Sequence, residues 1–144
     1  MAYCTQQNVE DRFASTKWWS DLDQDGSINA SIVAAHIAFA DGTINRYVAQ
    51  QYAVPLTLSN TAVADMIRDA AVLLAGWKLA ARVNDSDARA ALRDDYDEII
   101  DWLKMVAKGD ITLPGETDAD EQPAIGPIVT GDSVQVTRET TDGL

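Results

Sequence analysis

Apolar residues recur at alternating steps of four and three along three long stretches of this chain, and that spacing constrains the fold more than any other feature. The first series is Val33, Ile37, Ala40, Ile44, Tyr47, and the second is Val63, Ile67, Ala70, Leu74, Trp77, Ala81. The third is Leu92, Tyr96, Ile99, Leu103, Val106. Steps of four and three return to one side of a helix of 3.6 residues per turn, whereas a strand would need steps of two. The helices are predicted near residues 29–53, 60–83 and 87–108, with a shorter one at 6–15 carrying Val9 and Phe13. Start and stop residues agree. Thr5, Asn29 and Ser59 or Asn60 are natural N-caps. Pro55, the Asn84-Asp85-Ser86 run and Gly109 end helices, and Gly42 marks a place where the second could kink. Four amphipathic helices with short connections imply an all-α, small four-helix bundle-like domain, with no strand expected before residue 110.

Charge divides the chain differently from periodicity. The 144 residues carry a net charge of -12, from 23 Asp and Glu against 11 Lys and Arg. From Pro114 to Leu144 there are seven acids and one base, Arg138, so half of that charge lies in the last 31 residues. The same stretch holds three prolines and four glycines and no aromatic residue. Such a composition cannot build a core of its own. The expected organisation is a helical domain at 1–113 and an acidic Pro/Gly-rich arm at 114–144. Within the arm, Ile128-Val129 and the alternating Ser133-Val134-Gln135-Val136-Thr137 suit short β-strands added to the edge of a partner. Ile128, Val129, Val134 and Val136 are therefore candidate contact residues.

The same numbers exclude several functions. Few cations are available to displace counterions from phosphates, which disfavours specific nucleic-acid binding. No apolar run approaches a membrane span, and Met1–Gln6 has neither the basic nor the apolar part of a secretory signal. The chain is expected to be made in a reducing cytoplasm. Its lone Cys4 and lone His36 can assemble neither a disulfide nor a zinc site. There is no Gly-rich phosphate loop, and no pair among the acids stands out, so no enzyme and no cofactor are indicated.

Two local motifs invite a function. Asp21-Leu22-Asp23-Gln24-Asp25-Gly26-Ser27-Ile28 places carboxylates at positions one, three and five of a calcium loop, with glycine at six. Position twelve, which should supply a bidentate glutamate, is Ile32. The reading preferred is an acidic turn held by Asx bonds to local backbone, with a cation at Asp21, Asp23 and Asp25 as the alternative. Trp18-Trp19 is the second motif. Neighbouring residues of a regular element cannot both enter one core, so two readings stand side by side: one indole faces outward as an interface anchor, or both are buried by an irregular loop. Trp18, Trp19 and Tyr52 are the aromatic interface candidates, and Tyr47 is assigned to the bundle interior.

Several pieces occur together in one order: Met1-Ala2-Tyr3-x-Thr5, Arg12-Phe13, the loop at 21–26, Ile44-x-x-Tyr47 and Tyr52-x-x-Pro55-Leu56. Trp102-Leu103-x-x-Val106-Ala107-x-Gly109 and Leu113 follow. In this order they resemble the Mu-type family of phage structural proteins, similar to head-tail connector (adaptor) proteins, over residues 1 to about 113. Gln51 stands where that family usually carries a basic residue. The resemblance implies a virion component without catalysis, at the head-tail interface. Its subunits would form a homo-oligomeric ring between the portal protein and a tail-side stopper or tail-completion protein, with DNA passing through unbound. Two alternatives stay open at this stage, an EF-hand-like calcium-binding module and an acidic DNA-mimic inhibitor.

Overall fold

A computed structural model describes residues 2–119, and the architecture is all-α with five helices among these residues. They are α1 (Gln6–Arg12), α2 (Thr16–Ser20), α3 (Ala30–Val48), α4 (Thr61–Arg82) and α5 (Ser86–Lys108). Four of them start where a side chain can satisfy the free amides of the first turn, and α2, behind Ser15, starts without one. Thr5 and Asn8 exchange bonds in a capping box at α1, Asn29 accepts from Ile32 N, and Asn60 accepts from Ala62 N and Val63 N. Asp85 caps α5 by accepting from Ala88 N. At the far end Gly109 adopts φ 85°, a left-handed conformation that suits glycine, and Asp110 N returns to Met105 O at 2.9 Å.

Helix α4 is the centre of the molecule. Residues 70–77 are buried without interruption, because α3, α5 and the α1–α2 pair pack around it. Its small residues make that possible. Phe13 lies directly over Gly76, and a Cβ added there would come within 2.2 Å of the ring. The other stripes bury Val33, Ile37, Ala40, Ile44 and Val48 from α3, and Leu103 and Val106 from α5.

Four details differ from the sequence reading. The first helix stops at Arg12, and a separate helix, α2, occupies 16–20 where none was expected. Thr16 explains the break, since its hydroxyl donates to Phe13 O at 2.7 Å and turns the chain. Helix α3 ends at Val48 rather than near 53, because Gln51 N and Tyr52 N both bond Val48 O and the chain turns there. The inward position at that end is Val48, leaving Tyr47 half-buried. Finally, α3 runs through Gly42 without a break, and that glycine is exposed.

The connection between α3 and α4 is clasped by both ends of the described chain. Tyr3 OH accepts from Leu56 N at 3.0 Å and is also bonded to Asn45, while Tyr3 N donates to Asp41. From the other end, Glu116 accepts from Thr57 N at 2.7 Å and Leu58 N at 2.8 Å. Ala53 N donates to Thr117 O, Ala119 N donates to Gln51 O, and Tyr52 pairs with Asp118 in an isolated antiparallel bridge. Residues 113–119 thus lie against 51–60, and the acid Glu116 finds its partners on the backbone.

Candidate functional site

The two adjacent tryptophans diverge as helical geometry requires. Trp19 is 2% exposed and tilts against Phe13 at 5.4 Å. Its indole N–H donates to Asp85 at 2.9 Å, and its carbonyl accepts from Arg82 Nε. Trp18 is 58% exposed and lies beside the exposed Leu22 and Arg82 in a shallow depression. Trp19 is therefore withdrawn from the candidate interface, since its ring and its N–H are both used within the subunit. Tyr52 is withdrawn as well, because it is buried and its hydroxyl accepts from Leu113 N at 2.8 Å. Ile128, Val129, Val134 and Val136 lie outside the described residues.

The acidic loop is built from its own side chains. Asp21 accepts from Asp25 N and Gly26 N through its two oxygens, and Asp25 accepts from Ser27 N and Ser27 Oγ. The bonds from Ser27 hold the Asp25 carboxyl below the usual carboxylate range. One oxygen from each of Asp21, Asp23 and Asp25 lies within 4.8 Å of the others. Ile32, at position twelve, packs half-buried against the core and offers no oxygen. The loop makes the Asx bonds that its sequence suggests, and they leave the three carboxylates gathered together.

The remaining reactive groups are placed for packing. Burial pushes the Cys4 thiol up to about 12, with the Asp41 carboxylate adding to the effect, so Cys4 stays a neutral thiol. His36 Nδ1 lies 2.8 Å from Ile32 O, one turn back on its own helix. Gln51, at the position where a basic residue was expected, packs over Gly109 and donates to Ala107 O at 3.0 Å. It serves the end of α5 as a cation would, as a hydrogen-bond donor.

Sequence periodicity missed a second surface. Along the seam between α4 and α5, Met66, Ile99 and Trp102 line an open notch of about 280 Å³, edged by Asp69 and Glu98. Met105 continues it among Asp94, Asp97 and Asp101. Met66 and Met105 are among the large exposed apolar side chains. The signal was a second apolar line on α5, with Trp102 and Met105 three apart beside the inner stripe. Arg89 and Arg93, grouped with these acids in the sequence reading, instead lie 5.1 and 5.8 Å from the Trp77 ring. Trp77 in turn stacks on Tyr96 at 4.5 Å.

None of the described helices is long and apolar enough to cross a membrane. No curated protein matches the chain. The family model described as Bacteriophage Mu, Gp36 matches residues 3–130, reaching past 113 into the acidic segment that the sequence resemblance had left out. With nearly the whole chain matched in this way, including both ends of the clasp and every helix between them, the protein belongs to the Bacteriophage Mu Gp36 family.

Proposed function

We propose that this chain is a non-enzymatic virion protein, a head-tail connector (adaptor) subunit. Copies of it form a ring between the portal protein and a tail-side stopper or completion protein, and DNA passes through the ring. The observation that carries this reading is membership of the Bacteriophage Mu Gp36 family across residues 3–130. The physical character of the chain supports it. A net charge of -12 repels a phosphate backbone and lets DNA move past without adhering. Trp18, exposed on a short helix, is the kind of side chain that anchors a protein contact. Residues 113–119 belong to the body of the subunit, and in this reading the acidic segment that follows them is the arm that reaches portal or tail-side partners.

The test is genetic and structural. A phage lacking this protein should accumulate DNA-filled heads and finished tails that do not join, and supplying the protein should restore joining. The protein should also be found in finished particles at a fixed copy number. Normal particles formed without it, or its absence from purified particles, would discard the reading.

A further inference from the structure

Two exposed surfaces on opposite sides of α4 complement each other in charge and in shape of side chain. The first is the α4–α5 seam, where Met66, Ile99, Trp102 and Met105 expose apolar surface. Asp94, Asp97, Glu98 and Asp101 border it, and among the described residues none of the four makes an ion pair, although Lys104 is exposed on the same helix. The second surface begins at Phe39, 40% exposed on α3, with the Lys78 ammonium 4.6 Å from its ring centre. Arg82 follows one turn later on α4 and adjoins Trp18 and Leu22. Neither Lys78 nor Arg82 pairs with a carboxylate among the described residues. Asp21, which shares this depression, accepts from the amides of its own turn, and the nearby Asp85 accepts from the Trp19 indole and Ala88 N.

Helical geometry sets the two surfaces apart. Asp69 and Lys78 are nine residues apart on α4, about two and a half turns, so their side chains leave the helix in opposite directions. A surface on one side that fits a different surface on the other makes a head-to-tail contact, which closes into a ring when the rotation between copies allows.

We infer that the occupant of the acidic α4–α5 seam is a second copy of this chain, which presents Phe39, Lys78, Arg82 and Trp18. The apolar residues of the seam receive the aromatic side chains, and the unpaired acids face Lys78 and Arg82. Opposite charge across the contact steers the copies together and rejects the pairing of two like faces. The inference rests on the ring reading above, but it assigns the lateral surfaces that the ring reading leaves open.

The test uses two charge reversals in the full chain, Glu98→Lys with Asp101→Lys on one face, and Lys78→Glu with Arg82→Glu on the other. Wild-type protein at low salt should self-associate by sedimentation, and added salt should weaken that association. Each reversed protein alone loses the charge opposition between its two faces and should associate at least roughly tenfold more weakly. Mixing the two reversed proteins should restore assembly, because each altered face then meets its opposite in an alternating array. Restoration also shows that both variants are folded.

A wild type that stays monomeric at millimolar concentration overturns the assignment, as does unchanged assembly of either variant. So does failure of the mixture to recover when both variants keep wild-type circular dichroism. A monomer that instead binds a Lys/Leu amphipathic peptide gives the seam to another protein and also overturns it. Restored alternation in a protein that is absent from phage particles would remove the connector reading and leave these surfaces assigned.

Discussion

Gly76 and Gly42 occupy the interiors of two long helices, yet their environments assign them opposite roles. At Gly42 a Cβ would meet nothing within 4 Å, so Gly42→Ala should stabilise the protein by about 0.5–1 kcal/mol through helix propensity alone. At Gly76 the Phe13 ring fills the space a methyl group would need, and Gly76→Ala should destabilise by about 1–3 kcal/mol. Urea denaturation of the two variants should move the midpoint in opposite directions. Asp41 and Asp85 are a second contrasting pair. Burial raises the Asp41 carboxyl, despite the bond from Tyr3 N, whereas the bonds from Trp19 and Ala88 lower that of Asp85. A raised carboxyl binds its proton more tightly in the folded state, so it costs stability as pH rises from the ordinary carboxylate value of about 4 through its own. A lowered one contributes stability above that ordinary value and loses it as pH falls through its own. Asp41→Asn should therefore flatten the loss on the rising side, and Asp85→Asn the loss on the acid side. Midpoints measured across the acid range check both.

The long helices were legible because their evidence lies in the chain: a repeating stripe, a capping side chain and a terminating residue are all local. Asn29, Asn60 and Gly109 stand where their chemistry is needed. Helix α2 was not legible because five residues are too few to show a period or to be stable alone. It exists because Thr16 bonds backward to Phe13 and Trp19 enters the core formed by distant elements. The α4–α5 seam was hidden for a related reason. Its apolar line on α5 gains meaning only beside Met66, and nothing in either helix states that adjacency. The Trp pair was half legible, since divergence follows only on a helix, and an irregular loop that buries both indoles stood equally open until α2 was seen. The segment after α5 behaves as an element of the fold through Glu116, whose carboxylate holds two backbone amides. Glu116→Ala should cost on the order of 1–2 kcal/mol and release the amides of Thr57 and Leu58 to rapid hydrogen exchange. Amides in the middle of α4 should keep their protection.

At the scale of the whole molecule, the helices surround α4 and place acidic and basic-aromatic surfaces on different sides of one small body. Membership of the Mu Gp36 family gives those surfaces a setting, and charge gives them an order. The clasp has a topological consequence of its own. Tyr3 and Glu116 grip neighbouring residues, Leu56 on one side and Thr57 and Leu58 on the other, so the beginning and the end of the described body meet on one short connection. A body whose first and last described residues meet is closed in space although open in covalent structure. Joining residue 119 to residue 2 through a short flexible linker, and opening the backbone at the exposed Gln24–Gly26 turn, should yield a circular permutant with native helical content and cooperative unfolding. The order in which the helices are synthesised would then be a matter of descent rather than a requirement of the fold.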